Sequence, residues 1–412
     1  MSVPPTCHQD DVLRTLVQPK DPAFEYRVKI PRDHPPGLYW YHPHPHGFSD
    51  GQVLGGASGA IVVGGIEQAV PEVAGLPERV LVLRDQPQGQ KTEESGERGE
   101  DPKDVTINFV PILYYRMVPA VLRVRPAERE FWRVLNASAD TYFDLQVLYR
   151  RGQYDYVPET LKLVAMDGVP IRPASSSPGF SPLRKSVLIP PGGRGEFIVT
   201  TPPAGMPGRF VTRYYDTGPD GLVHPERILA NIVSREDSPA APLLPGVRRR
   251  APVANPPSNI PSPLRQRKLY FSEERDDLKD PKKPARYFLT VEGQTPKLFD
   301  MNFKLPDILV TLGAVEDWTV ENRAREAHAF HIHQLHFQVL RRDGKAVDEP
   351  VWRDTIDLPF WDGKGPYPNV RLRMDFRDPG IAGTFVFHCH LMEHEDGGMM
   401  GSIQVQKRFS AR

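Results

Sequence analysis

Short runs in which apolar and polar residues alternate recur along this chain, each closed by proline or glycine. The first, Phe24-Glu25-Tyr26-Arg27-Val28-Lys29-Ile30, reads as a half-buried strand. Pro35-Pro36-Gly37 marks a turn, and Ala60-Ile61-Val62-Val63 closes a small β unit. A second unit opens at 79–84, is interrupted by a polar excursion from Asp85 to Asp104, and resumes with strands expected at 131–135, 142–147, 161–166, 185–189, 196–199 and 209–212. A third carries strands expected at 287–291, 308–312, 317–320, 337–340, 371–374, 384–387 and 402–405. Strands at this spacing, broken by glycine and proline, predict all-β sandwich or barrel units.

The units have readable boundaries. Residues 234–266 hold eight prolines and the basic triplet Arg248-Arg249-Arg250, which together read as an extended, solvated linker. The division expected is therefore 1–66, 67–233, a linker at 234–266, and 267–412. Glu130-Phe131-Trp132-Arg133-Val134-Leu135-Asn136 and Glu316-Asp317-Trp318-Thr319-Val320-Glu321-Asn322 share the pattern E-x-W-x-V-x-N. Its recurrence at the same point of two β units suggests duplication.

Composition narrows the function. Lys+Arg and Asp+Glu both number 52, so charge gives no reason to expect nucleic acid or an anionic membrane as partner. No apolar run of about 18 residues is available to span a bilayer. The first residues lack a basic region followed by an apolar core, so no signal peptide is expected in this chain. Two cysteines, Cys7 and Cys389, exclude a disulfide framework.

The histidines carry the chemistry. Ten of 13 fall in three clusters, at 42/44/46, 328/331/333/336 and 388/390/394. The first would share one face of a regular strand; the plainer reading is a histidine-rich loop. In the third, the strand ending at Phe387 leads into His388-Cys389-His390. Alternation turns Cys389 to one side and both histidines to the other, so one segment would reach two metal sites. Two histidines, a cysteine and a weak axial methionine form the blue-copper ligand set. Cys389, His394 and Met399 lie on one loop at spacings of five and five, with Met400 as the competing methionine and His328 as the natural second histidine.

The stretch H-C-H-x-x-x-H-x-x-x-x-M, preceded by H-x-x-H-x-H and W-Y-H-P-H, resembles the multicopper oxidases: laccases, bilirubin oxidases and bacterial cuprous oxidases. The likeness extends to Arg133–Ala137 and to Met166-Asp167-Gly168, and so over nearly the whole chain. It implies three cupredoxin-like Greek-key sandwiches, the first incomplete here. It also implies copper, four ions in a complete member, with dioxygen and a small reducing substrate as partners. Carried over by position, it makes His328, Cys389, His394 and Met399 the type 1 ligands and His331 a type 2 ligand. His42, His44, His333, His388 and His390 become type 3 ligands. His46 and His336 fall outside the ligand positions, as supports or surface residues. Glu395, and Asp10 or Asp11, resemble the carboxylates that relay protons in some members; a plain surface carboxylate is the other reading. Family members are usually periplasmic or extracellular.

One family motif, the separate H-x-H-G expected just ahead of the segment that begins at Val3, is not found there, and His8 does not restore it; His44-Pro45-His46-Gly47 has the same pattern but belongs to the cluster already described. Either a longer oxidase is represented by a shortened form, or the short chain is the product. In the second case the type 1 site is expected to load copper and the cluster to load poorly, and strand edges left open would favour association. The leading reading is an oxidase acting on phenols, aromatic amines or a metal ion. The alternative is a copper-binding or electron-transfer protein with little oxidase activity, and a weaker third is a copper nitrite reductase. Nine methionines with no methionine-rich insert argue against a dedicated cuprous-ion site.

Overall fold

The computed structural model describes residues 11–31, 33–86, 103–112, 118–171, 181–241, 260–274, 285–347 and 351–407. His8, Asp10, most of the 85–104 excursion and the Arg248–Arg250 triplet lie outside these residues. Strands dominate, and the longest α-helix among the described residues, Ser49–Leu54, has six residues. Two compact units are formed. One gathers the described parts of Pro35–His42 and Gln52–Val253, the other those of Met1–His34, Pro43–Gly51 and Ala254–Arg412.

In the first unit the strands that matter are β1 (Gly37–Tyr41), β2 (Gly59–Val63), β3 (Glu78–Gln86), β4 (Arg129–Asn136), β5 (Phe143–Arg150) and β6 (Arg194–Thr200). β4 is central, parallel to β3 and antiparallel to β6, while β5 belongs to a second sheet. Trp132 of β4 fills the space between the sheets, edge-on to Phe210 at 5.4 Å. β1 and β2 pair only with each other among the described residues. β1 is pinned by side chains: Leu38 donates its N–H to Glu196 (2.8 Å), and Arg194 donates to the Leu38 carbonyl (3.2 Å). Gly37 is required there, because a Cβ would sit 2.3 Å from the Gly168 carbonyl oxygen.

The second unit is built from β7 (Arg265–Glu274), β8 (Val315–Asn322), β9 (His328–Ile332), β10 (Thr355–Leu358), β11 (Asn369–Asp375), β12 (Gly383–Cys389) and β13 (Met400–Gln406). β8 lies between β7, which is parallel, and β11, which is antiparallel. The other sheet runs Ile308–Thr311, β13, β12, β9, β10. Trp318 and Phe387 meet edge to face in the core at 5.7 Å.

The E-x-W-x-V-x-N repeat is a structural repeat. Glu130 accepts from Trp132 Nε1 at 2.8 Å and from Arg79 at 2.5 and 2.7 Å. Glu316 accepts from Trp318 Nε1 at 2.9 Å and from Arg267 at 2.6 and 3.0 Å. Asn136 and Asn322 close the two copies alike, each donating to two loop carbonyls and accepting the N–H two residues on. A further correspondence is visible only in the pairing. β1 meets β2 with Gly37 opposite Val63 and Tyr41 opposite Gly59. β12 meets β13 with Gly383 opposite Val405 and Phe387 opposite Gly401, the same five-residue register. His42-Pro43-His44 follows the one as His388-Cys389-His390 follows the other.

Two expectations are corrected. Phe24–Ile30 is not a strand: Tyr26 is 64% exposed, and its ring packs on neighbouring Phe24 at 4.8 Å. Alternation supplies a face, but a strand also needs a ladder partner, and none of the described strands provides one. The histidines at 42, 44 and 46 do not share a strand face either. β1 stops at Tyr41, because Pro43 and Pro45 have no N–H to offer a ladder.

Candidate metal centre

Two groups of donors assemble in the unit that contains β12. In the first, Cys389 Sγ lies 3.5 Å from His328 Nδ1 and 3.7 Å from His394 Nδ1, and the two nitrogens are 3.1 Å apart. All three residues are fully or almost fully buried. A point equidistant from the three donors falls about 2 Å from each, close to the 2.0–2.3 Å that nitrogen and sulfur adopt on a borderline metal ion. The donor chemistry and the triangle both fit copper.

Local structure delivers these atoms. His328 opens β9 and Cys389 ends β12, adjacent strands in which Phe330 is opposite Cys389. His394 sits in the helical turn Met392–Asp396. Met399 donates its N–H to the His394 carbonyl (2.9 Å), and its own carbonyl accepts the Cys389 N–H (3.1 Å), so the buried methionine is tied to both residues. Tyr287 stacks on the His394 ring at 4.2 Å.

Charge is arranged around the triangle. Burial alone would raise the Cys389 thiol, but the His328 and His394 imidazoles outweigh it and bring it down to about 6. Burial would lower both imidazoles. Cys389 chiefly holds His328 up, while Glu326, with Cys389, holds His394 well up. The outer Nε2 atoms face carboxylates, Glu273 at 3.3 Å from His328 and Glu326 at 3.6 Å from His394. A carboxylate beside each outer nitrogen favours the proton at Nε2 and so leaves Nδ1 as the inward lone pair, the tautomer a metal needs.

The second group uses the opposite nitrogens. His388 Nε2 is 3.3 Å from His44 Nε2 and 3.1 Å from His333 Nε2. The rings of His331 and His390 join the same assembly, with centroids 5.3 and 5.4 Å from that of His388 and 5.2 Å from each other. Outer nitrogens again meet acceptors. His388 Nδ1 donates to the Cys389 carbonyl at 2.8 Å and lies 3.1 Å from Glu395, and His44 Nδ1 is 3.5 Å from Glu395. His331 Nδ1 donates to the Asp354 carbonyl (2.8 Å) and contacts Thr355 Oγ1 (3.0 Å). Lone pairs on the His44 and His388 Nε2 atoms thus converge, an arrangement that is repulsive without a cation. Burial lowers His44 and, with its imidazole neighbours, pushes His333 well down, which keeps both neutral and ligand-ready. Glu395 has no exposed surface; burial would raise it, but His44 and His388 hold it well below the usual carboxylate range.

The comparisons agree with this chemistry. Residues 278–408 match the family model for multicopper oxidases. The multicopper oxidase mco of Staphylococcus aureus is 23% identical over 397 residues, covering 94% of this chain and 72% of that protein. Over residues 278–408 the chain matches the multicopper oxidase family, and over most of its length it is similar to multicopper oxidases. A laccase of Haloferax volcanii is 35% identical over a shorter stretch of 89 residues, 22% of this chain and 15% of the laccase. Among solved structures, a Campylobacter jejuni multicopper oxidase described as a metallo-oxidase superposes with a TM-score of 0.66 at 24% identity, over 99% of this chain and 79% of that one. A variant of McoA from Aquifex aeolicus gives 0.66 at 20% identity, over 90% of this chain and 76% of that one. The all-β, cupredoxin-like fold is that of the family. The relatives are multicopper oxidases and laccases, and copper is the metal that such a likeness implies.

Of the residues singled out from sequence, His328, Cys389 and His394 come together, as do His44, His331, His333, His388 and His390. His42 lies in the other compact unit, where its ring stacks on Trp40 at 4.2 Å. His46 packs edge-on against Phe299, and His336 faces Asp354 at 3.6 Å. Asp11 closes its own turn, accepting from Leu13 N–H at 3.3 Å and, through its carbonyl, from Arg14 and Thr15. Sequence reasoning missed Glu273, Glu326, Asp354, Tyr287 and Asp396. None has a motif of its own, although Glu326, two residues before His328, and Asp396, two residues after His394, were close enough in sequence to attract attention.

Proposed function

We propose that this oxidase takes single electrons from a phenol, an aromatic amine or a metal ion at a type 1 copper site and reduces dioxygen to water at a trinuclear site. The observation that carries the reading is that the two donor groups meet at consecutive residues. Cys389 belongs to one and His388 to the other, and His388 Nδ1 also donates to the Cys389 carbonyl at 2.8 Å. His328, Cys389, His394 and Met399 would hold the type 1 ion, His331 the type 2 ion, and His44, His333, His388 and His390 the type 3 pair; the part suggested for His42 rests on resemblance alone. Bound copper supplies one-electron redox chemistry.

The chain's own residues supply the setting. Glu273 and Glu326 fix the inward nitrogens of one group; Glu395 and the Cys389 carbonyl fix those of the other. Burial of Cys389, His388 and His394 excludes water from both sides of the segment. Glu395 also stands where a carboxylate would relay protons to the histidine side; the same role suggested for Asp10 and Asp11 rests on resemblance alone. The test is copper per chain, visible absorption and dioxygen uptake with a phenol, measured on one preparation. Several coppers, blue colour and uptake support the oxidase. One copper and blue colour without uptake would favour the electron-transfer reading.

A further inference from the structure

We infer that Asp396 is a positioning residue that holds the loop bearing His44 in place against His388 and His333. The inference rests on the reading that His44 is a copper ligand. Three successive residues of one helical turn face three different tasks. His394 points into the Cys389 triangle, and Glu395 contacts His44 and His388. Asp396 reaches the backbone of the loop that follows His44. Its Oδ1 accepts the N–H of Gly47 at 2.9 Å and of Ser49 at 3.1 Å, and its Oδ2 accepts the N–H of Asp50 at 2.9 Å.

This is a specific device. The loop 43–48 has no ladder of its own, since Pro43 and Pro45 remove two of its N–H groups. Besides the side-chain contacts of His44 with Glu395 and of His46 with Phe299, it has short-range ties, Phe48 N–H to the Pro45 carbonyl at 3.0 Å and Ser49 Oγ to the same oxygen at 3.4 Å. The short-range ties fold the loop on itself without placing it. The Asp396 carboxylate, 345 or more positions away in sequence, fixes it relative to the turn that follows His390. Charge-assisted bonds to backbone N–H groups are roughly twice as strong as neutral ones. His44 Nε2 comes within 3.3 Å of His388 Nε2 only while the loop stays in that place. The same helical turn would thereby couple the geometry of both donor groups.

The test uses the full chain and the variants Asp396→Ala and Asp396→Asn. In copper-free protein, amide hydrogen exchange across 44–50 is expected to speed up in Asp396→Ala, with exchange of β12 unchanged. In copper titrations the blue absorption should load as in wild type, while binding at the histidine side weakens about 10–100-fold. Asp396→Asn, which keeps one acceptor oxygen, should fall between. Ser49→Pro removes a donor from the other side and should reproduce part of the loss with Asp396 intact. Wild-type exchange across 44–50 in Asp396→Ala would overturn the inference, as would unweakened copper binding there. Loss of the blue absorption together with the histidine-side copper would also overturn it, by showing a role in the His394 turn instead. If wild type itself takes no copper at the histidine side, the functional reading fails while the exchange result still judges the role of Asp396.

Discussion

Replacing Glu395 by glutamine isolates the contribution of one buried carboxylate to the histidine group. Glu395 has no exposed surface and lies 3.1 Å from His388 Nδ1 and 3.5 Å from His44 Nδ1. The His388 Nδ1–H donates to the Cys389 carbonyl, so the carboxylate acts on both imidazoles through its charge, which counts for more in a buried site than in water. Glutamine preserves the volume and one acceptor but loses the charge that favours Nδ1–H, and with it Nε2 as the inward lone pair. The expected loss is therefore roughly 10–100-fold in copper affinity on that side, in line with residues that orient metal-bound histidines elsewhere. The assay is a competitive copper titration with metal content measured after gel filtration, blue absorption followed in parallel. Colour should develop normally, because the outer nitrogens of His328 and His394 meet Glu273 and Glu326 instead. Wild-type affinity at the histidine side in Glu395→Gln would refute the reasoning.

Glu316→Ala removes the acceptor of Trp318 and leaves the mostly buried Arg267 without its carboxylate; it should cost about 3–5 kcal/mol in denaturant unfolding, and a loss below about 1 kcal/mol would contradict the argument. Gly397→Ala places a Cβ 2.7 Å from the Tyr287 ring that stacks on His394, so the blue absorption should shift and stability fall by about 1–3 kcal/mol; an unchanged spectrum would argue against that contact. In copper-free protein, thiolate absorption of Cys389 should appear with a midpoint near 6, against about 8.5 for an ordinary thiol. Because the folded value is the lower one, the stabilisation from this thiolate is complete above about 8.5 and is lost as pH falls through 6. A midpoint at the ordinary thiol value would contradict the electrostatics of the triangle.

The strands were legible where apolar residues, turns and pairing agreed. Leu161–Met166 falls where alternation and flanking turns place it, and the tryptophan repeat announced two related strands that share even their arginine partners. Phe24–Ile30 shows the limit of pattern, since alternation says nothing about whether a partner strand exists. Cys389 and its neighbours were legible because spacing along one strand sets which way each side chain turns. Asp354, Glu273 and Asp396 were not, because they meet histidines or their loops only through tertiary packing. The likeness of β1 and β2 to β12 and β13 escaped the sequence because five matched positions, mostly small or apolar, carry little signal until the registers are compared.

In the function proposed, one segment, His388-Cys389-His390, joins an electron-accepting site to a dioxygen site. Phenol-driven dioxygen uptake by Cys389→Ser, compared with wild type at equal histidine-side copper, tests it most directly. The variant should lose the blue absorption and its uptake should fall to the rate without enzyme, while His44, His333 and His388 still bind copper. Uptake at the wild-type rate from a colourless Cys389→Ser protein would contradict it.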